Sequence, residues 1–458
     1  MREVVSSKGG TADPTRVVIV GGGAAGVITA AHLLRAAHDD NPLDVRIIEK
    51  EEAMGPGLAY ATSHPLHTLN NYAGRLSALD GDPDHLLRWC AANGLPADPT
   101  SFLRRDVYGR YLRDVLDDTP VPAGSALRRT RGVVTGLRTG EGPREVHLSC
   151  GWAIPADKVV LALGNPPPRR RRELEQWGDR YLPDPWADNL AEAVGGSHEV
   201  LLLGTGLTMV DVVAALHEAS PETRFTAVSR RGLLPTAHKR GSLRLHDSFS
   251  PGDATLDGVI ERVRDRVLEL EDVGGDWRDV FDSLRAGANE LWRGFSPEDQ
   301  DRFVTDLARH WEIRRHRMSP GMADHIARLQ DAGILRIARV DEVDAGRFDR
   351  IINCTGPSPV PARGWNRLVD ALLHQGAVRP HRLGLGLDLT ADGCVIDAHG
   401  RANPDLFAVG AARRGIEWEV AAIPDLRSQA AQLAVHVVRS LDTPTGHAPA
   451  VDNGAASA

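Results

Sequence analysis

The sequence predicts an α/β protein built from two Rossmann-like dinucleotide-binding domains, the second inserted in the first, with an α-helical insertion. Three observations predict it. An apolar, β-branched run ending in glycines occurs twice, as Val17-Val-Ile-Val20 before Gly21 and as Val200-Leu-Leu-Leu203 before Gly204. Each run leads into a helix-like stretch and then a second strand-like run, Val45 to Glu49 in the first copy and Phe225 to Ser229 in the second. Each copy is closed downstream by one more strand with a terminal glycine, Val159-Val-Leu-Ala-Leu-Gly164 and Ile351-Ile-Asn-Cys-Thr-Gly356. Strand, glycine turn, helix and strand make a βαβ unit on a parallel sheet, and an unbroken apolar run suits a strand buried on both faces.

The rest of the chain is divided around these units. Residues 1–14 and 444–458 are rich in small and polar residues without periodicity, and read as disordered tails. The first domain takes 15–196 and 359–443, and the second takes 197–358. Within the second, residues from about 254 to 332 change character. Val259, Val263, Val267, Val280, Leu284 and Leu291 recur at helical spacing, and Ser296-Pro297 reads as a capped helix start. Four or five helices are expected there, with Trp277, Trp292 and Trp311 in their core. A final helix is expected to begin near Pro424-Asp425.

Composition narrows the function. The 62 acidic residues exceed the 54 Lys and Arg, giving a formal charge of -8, which disfavours a nucleic-acid binder. No apolar run reaches the roughly 18 residues of a membrane span. The four cysteines (Cys90, Cys150, Cys354, Cys394) form no CxxC pair or zinc spacing. A soluble cytoplasmic enzyme without a metal is the expectation, with homo-oligomerisation open and the helical insertion as its candidate surface.

The glycine turns identify the ligands. Gly21, Gly23 and Gly26 form GxGxxG, with Ala24 and Ala25 opening the helix. The first glycine permits the turn, the second admits a pyrophosphate to the backbone, and the third lets the helix pack closely. Free N–H groups at the helix start face the anion. Glu49, 28 positions after Gly21, ends the next strand and supplies the acceptor for a ribose hydroxyl. The second turn keeps Gly204 and Gly206, followed by Leu207 and Thr208, but carries Met209 where a third glycine would fall. Ser229, Arg230 and Arg231 stand where the acid stood, and a hydroxyl with two guanidinium groups favours a 2′-phosphate and therefore NADP. Two different nucleotide sites in one chain imply electron traffic, with NADPH giving a hydride to a bound flavin. The first domain is then the FAD-binding domain, and Asp425 at the start of the last helix is the candidate donor position for the flavin pyrimidine. Gly164, Gly356 and Gly410 mark strand ends where backbone passes close to a cofactor.

The residues also resemble a known family. The first turn, Gly55-Pro-Gly-Leu-Ala-Tyr60, Leu69-Asn70-Asn71, Gly204 to Asp211, Ser229 to Pro235, His316-Arg317-Met318, Asn353 to Pro357 and Asp405 to Gly410 are similar to bacterial FAD/NAD(P)-binding proteins with two dinucleotide domains. These are related to class B flavoprotein monooxygenases, including amine N-hydroxylases, a urate hydroxylase and enzymes that oxidise the amino group of aspartate. The resemblance implies FAD, NADPH and molecular oxygen, a flavin hydroperoxide, and a small polar nitrogen-containing substrate (an amino acid, amine or purine). Two features depart from relatives. The Baeyer–Villiger fingerprint is missing around residues 164–190, and Ala411-Ala-Arg413 follows Gly410 where disulfide reductases carry an aspartate. An NADPH-dependent flavin oxidoreductase without oxygen insertion is the alternative, as is a scaffold that keeps FAD structurally.

Oxygenation on a flavin asks little acid–base chemistry of the protein, so the candidate residues are few. Asn70 is the candidate for a contact near the flavin ring, against the alternative of a turn asparagine. His67 lies in the same polar run. His238 and Arg240 follow the NADP-type arginines and are candidates for a nicotinamide phosphate or an anionic substrate, against a solvated basic loop. Glu417 precedes the last helix and is the candidate partner for a cationic amine. His316-Arg317 reads as a cleft or, more simply, as a helix-surface pair.

Overall fold

The computed structural model describes residues 4–7, 13–139, 144–170, 172–239, 255–359 and 364–442. The chain opens with β1 (Val4–Ser7), β2 (Thr15–Val20), β3 (Leu43–Glu49) and β4 (Ala126–Arg131). A meander of β5 (Val134–Arg138), β6 (Arg144–Leu148) and β7 (Ala153–Ala156) leads to β8 (Lys158–Leu161). The chain then forms β9 (Tyr181–Leu182), β10 (Glu199–Leu203), β11 (Arg224–Ser229), β12 (Leu335–Arg339) and β13 (Arg350–Asn353). It ends with β14 (Cys394–Ile396) and β15 (Ala402–Ala408).

These strands make two large sheets. The first runs β1-β4-β3-β2-β8-β15-β14, and the second runs β12-β11-β10-β13-β9. Pairings within the second are all parallel. The first is parallel at its centre and antiparallel at both edges, where β1 meets β4 and β14 meets β15. Because β15 from the chain's end lies beside β8, the first sheet is completed only after the second has been made.

Two expectations change here. Val4–Ser7 pairs antiparallel with β4, so part of the segment read as a disordered tail is an edge strand. A short run with two valines is too brief for periodicity to reveal, and its partner lies more than 120 residues away in the register Val4 to Arg129. The chain also crosses to the second sheet earlier than residue 197, because Tyr181–Leu182 pairs with β13. The tail at 444–458 lies outside the described residues.

The apolar strands divide their side chains between two cores. Val17 and Ile19 of β2 pack with the helices Ala24–Ala36, Arg105–Asp117 and Ile423–Asp442. Val18 and Val20 face the other way, toward the meander and Leu368 and Leu372. The second sheet repeats the device: Val200 and Leu202 pack under the helices Leu207–Ala219 and Pro320–Asp331, while Leu201 joins Phe348 and Tyr181 on the opposite face. Alternation of this kind is why four consecutive apolar residues are needed.

The insertion holds the helices Leu256–Asp272, Trp277–Gly294, Pro297–Arg302, Ala308–Arg315 and Pro320–Asp331, with a π-helical turn at Phe303–Leu307. Ser296 caps its helix as its sequence predicts, accepting from Asp299 N–H at 3.1 Å. Trp292 and Trp311 are buried, whereas Trp277 is only half-buried, with Arg278 and Arg317 over its ring. The core of the insertion includes Leu385 and Trp418, so it packs on the returning part of the first domain.

Candidate functional site: two glycine turns and a buried ionic layer

The two glycine turns have the same backbone plan. Gly21 has φ of 108° and Gly204 has φ of 114°, a region open to glycine. Gly21 N–H donates to Ile48 O at 2.9 Å, and Gly204 N–H donates to Val228 O at 2.8 Å. A Cβ on Gly21 would stand 2.2 Å from Ala162 O, and one on Gly204 would stand 2.3 Å from Cys354 O. Each turn is thus pressed against the neighbouring strand. Gly23 and Gly206 are the N-caps of 13-residue helices, Ala24–Ala36 and Leu207–Ala219, and neither helix has a side-chain cap. In both, no side chain satisfies the N–H groups at the helix start.

Differences begin in the third glycine and at the strand end. A Cβ on Gly26 would stand 1.9 Å from Gly21 O, so the first helix lies directly on its turn. Met209 occupies that position in the second helix and is fully buried. Glu49 Oε2 accepts from Gly22 N–H at 2.7 Å, and Oε1 accepts from Lys50 N–H at 2.8 Å. The carboxylate is therefore fixed at the turn by backbone donors and keeps unused lone pairs. Ser229 occupies the matching place in β11, and its Oγ lies 3.0 Å from both Thr205 Oγ1 and Gly232 N. The hydroxyl is spent largely on holding its own loop, while Arg230 and Arg231 beside it are exposed.

The loop after Glu49 folds back over the first turn. Gly55 N–H donates to Gly22 O at 2.7 Å, and Gly57 brings its Cα within 3.5 Å of where a Gly23 Cβ would be. A cavity of about 650 Å³ opens beyond it, lined by Glu52, Met54, Arg113, Arg131 and Trp152. Gly410 ends β15 near the first helix, with φ of 73° and an N–H that donates to Gln429 Oε1 at 2.9 Å. Gly164 and Gly356 also have positive φ, at 70° and 78°, but a Cβ on either would meet nothing within 4 Å. Backbone conformation, not protein packing, accounts for these two glycines.

Several candidate side chains prove to be joints of the protein. His67 is buried; Nε2 donates to Asp211 O at 3.0 Å, which leaves Nδ1 to accept from the Thr62 hydroxyl at 2.6 Å. Both ring nitrogens are used, and the substrate role read for His67 gives way to a bond between the first domain and the second turn's helix. Arg105 reinforces it, with Nη2 2.7 Å from Asp211 Oδ2. His238 donates from Nε2 to Asn70 O at 2.9 Å and packs against Tyr72 and Phe102. Burial lowers its pKa to about 4, so it is neutral and does not attract an anion. Asn70 is half-buried, and its described bond is made by its carbonyl rather than its side chain. Arg240 lies outside the described residues.

Glu417 is likewise committed. Arg413 donates to its two oxygens at 3.2 and 2.7 Å, and Gln429 Nε2 donates at 2.8 Å. The cation expected for Glu417 is Arg413, which the sequence already carried four residues earlier. Since Gln429 also accepts from Gly410 N–H, this chain of bonds fixes the end of β15.

Behind it lies an ionic layer between the insertion and the last helix. Asp425 receives Arg285 Nη2 at 2.9 and 3.0 Å, and its own N–H donates to Ala422 O at 3.0 Å. Asp425 is therefore not the free donor expected for a flavin; its amide and its carboxylate both have partners. Glu419 accepts from Trp311 Nε1 at 2.8 Å and lies 3.1 Å from Arg315 Nε. Burial alone would raise the Glu419 carboxyl, but Arg315, His316 and Arg285 together bring it down to about 2. Arg315 Nε sits within ion-pair distance yet off the hydrogen-bond direction, and Arg315 Nη2 and Arg285 Nε also lack acceptors. His316 is half-buried, with its pKa lowered to about 4 by burial, and Arg317 is buried against Asp282 at 3.0 Å. The pair is not a helix surface.

Sequence reading missed Arg309, which reaches the second turn from the helix Ala308–Arg315: Nη2 donates to Leu233 O at 2.9 Å and to Thr205 Oγ1 at 3.2 Å. Its signal in the sequence is one arginine among several, 103 positions after Gly206. Among the described residues, no group of three His, Cys, Asp or Glu gathers as a metal site, and no helix is long and apolar enough to cross a membrane.

Comparison with known proteins fits this geometry. No protein of curated function is detectably similar in sequence. Among solved structures, the cadaverine monooxygenase of the desferrioxamine pathway from Erwinia amylovora, solved with FAD bound, superposes with a TM-score of 0.58 at 13% identity, covering 96% of this chain and 98% of that one. L-Lysine 6-monooxygenase from Pseudomonas syringae gives 0.56 at 16% identity, covering 93% and 99%. Ornithine hydroxylase from Pseudomonas aeruginosa gives 0.54 at 13% identity, with the same coverages of 93% and 99%. Residues 18–166 match a family model described as FAD-NAD(P)-binding, and the chain as a whole carries the fold of these hydroxylases and monooxygenases.

Proposed function

We propose that the protein is an FAD-dependent, NADPH-consuming monooxygenase that hydroxylates a small polar nitrogen-containing metabolite. For an amine the balance is R–NH2 + O2 + NADPH + H+ giving R–NHOH + H2O + NADP+. One observation carries the reading: a single chain holds two glycine turns of one plan whose strand ends differ, Glu49 at one and Ser229-Arg230-Arg231 at the other. The shared fold with amine and amino-acid hydroxylases supports it.

The residues fit the two cofactors. Gly21 to Gly26 and Glu49 would hold FAD through free helix N–H groups and a ribose acceptor, and Gly204 to Thr208 with Arg230 and Arg231 would hold NADPH. Flavin, when bound, supplies hydride acceptance and oxygen activation. The chain's own residues bind, orient and exclude water: His67, His238 and Arg105 fix one nucleotide domain on the other, and the insertion closes over the last helix. The ionic layer of Arg285, Arg315, Glu419 and Asp425 ties the insertion to the start of the last helix.

A screen of amino acids, amines and purines tests the reading. It follows substrate-stimulated NADPH oxidation and product mass under ¹⁸O2. A product heavier by one labelled oxygen is expected. NADPH oxidation without label in any product assigns the protein to the oxidoreductases that do not insert oxygen. Protein that stays colourless after incubation with FAD removes the flavin reading altogether.

A further inference from the structure

Two arginines, Arg230 and Arg231, follow the strand beside the second glycine turn, and a third, Arg309, reaches that turn from the insertion. Arg309 bridges the turn and the loop that follows Arg231, through its bonds to Thr205 Oγ1 and Leu233 O. Both acceptors are neutral. Among the described residues Arg309 has no ion pair, and Glu312 on the same helix is bonded to Arg414 at 3.1 Å. Burial lowers the Arg309 pKa, Arg230 and Arg231 lower it further, and Glu312 opposes them. A half-buried guanidinium held beside two like charges, with Glu312 near but bonded to Arg414 instead, marks a place prepared for an anion.

Its position is specific. The Nη1 of Arg309 lies 3.9 Å from where a Cβ on Gly206 would be, and nothing else approaches that point within 4 Å. The corresponding point on Gly23 is faced instead by the Gly57 backbone. Gly206 is the glycine that admits a pyrophosphate to the helix start, so Arg309 stands over the pyrophosphate position rather than over the strand end where a 2′-phosphate is read. The wide turn Phe303–Leu307 immediately precedes its helix, and such turns shift the facing of the residues that follow.

We propose that Arg309 clamps the pyrophosphate of the dinucleotide at the second turn, making the helical insertion part of the NADP site. The inference rests on the reading of that turn as an NADP site. With NADP bound, the guanidinium would add charge-assisted hydrogen bonds to those from the helix N–H groups.

The test measures equilibrium binding to the FAD-loaded protein by calorimetry, with NADP+ and with 2′-AMP, which carries the 2′-phosphate but no phosphate at the pyrophosphate position. Arg309→Ala is expected to weaken NADP+ binding by about tenfold to hundredfold, and 2′-AMP binding by less than about threefold. Arg309→Lys should restore part of the NADP+ affinity. Arg230→Ser is expected to weaken both ligands together. Unchanged NADP+ affinity in Arg309→Ala overturns the proposal, and so does an equal loss for both ligands, which is the mark of a merely collapsed turn. If the unaltered protein binds neither ligand, the NADP reading itself has failed.

Discussion

The two glycine turns are one backbone solution with two sets of side chains. In both, the first glycine is forced by positive φ and by a carbonyl 2.2 or 2.3 Å from a would-be Cβ. Beyond that requirement they diverge. The first turn needs Gly26 because its helix touches Gly21 O, while the second accepts Met209 and buries it in the core. The first fixes a carboxylate on its own backbone; the second spends Ser229 on its loop, is followed there by Arg230 and Arg231, and is bonded by Arg309. Strand-to-helix geometry and strand-end chemistry are thus carried by different residues, and can be broken separately.

The largest effect is expected at the third glycine. In Gly26→Ala the new methyl would fall 1.9 Å from a backbone oxygen that has no freedom to retreat. A loss on the order of 3 kcal/mol or more follows, read as a lower urea midpoint, together with loss of bound flavin. Met209→Ala costs about 2–3 kcal/mol by leaving a cavity, yet should keep the flavin, because the first turn is untouched. Equal flavin contents in the two variants would erase the distinction between the turns.

Acid should act next, on the joints that hold the turns together. His238 and His316 have pKa values of about 4, lowered first by burial. Between the ordinary histidine value and that one, the unfolded chain binds protons that the folded chain refuses. Stability therefore falls as pH drops from about 6.5 to about 4, by on the order of 2–3 kcal/mol for each histidine. His238→Gln keeps a donor for Asn70 O and loses the titration. Urea midpoints at several pH values should decline less steeply in this variant, and parallel declines would exclude His238 as a source.

A smaller effect separates the strand ends. Arg230→Ser should raise the KM for NADPH by about tenfold to hundredfold, since it removes a charged hydrogen-bond donor. It should leave the KM for NADH nearly unchanged. Equal shifts for both nucleotides would remove the 2′-phosphate role and make the two turns alike in chemistry.

What the sequence made legible was local. Val17 to Val20, the glycine spacing and Glu49 are neighbours along one βαβ unit, so period and turn chemistry expose them, and the insertion announced itself by helical spacing and by Ser296 at a helix start. The misread residues are polar groups whose partners are distant in sequence. His67 looked free because Asp211 lies 144 positions away, and Asn70 and His238 because their bond spans 168. Glu417 is a different failure: Arg413 was only four residues away, at helical pairing distance, but no periodicity marked that stretch as helical. Arg309 had no signal at all, since nothing in an arginine-rich helix says which arginine faces a turn made 100 residues earlier.

The smallest effect tests the strand-end glycines, Gly164 and Gly356, which occupy equivalent places after β8 and β13. Their φ values of 70° and 78° fall in the left-handed region, and each has open space where a Cβ would go. An alanine at either position pays only the conformational cost, about 1–2 kcal/mol. Gly164→Ala and Gly356→Ala should therefore lower the urea midpoint of the cofactor-free protein by the same small amount, and asparagine should cost less than alanine. With FAD and NADP+ present, the two variants should part company only if a cofactor lies against one of the glycines. A larger drop in FAD retention for Gly164→Ala, or in NADP+ affinity for Gly356→Ala, would place that cofactor within contact of the strand end. Identical behaviour with and without cofactors would leave both glycines as conformational devices alone.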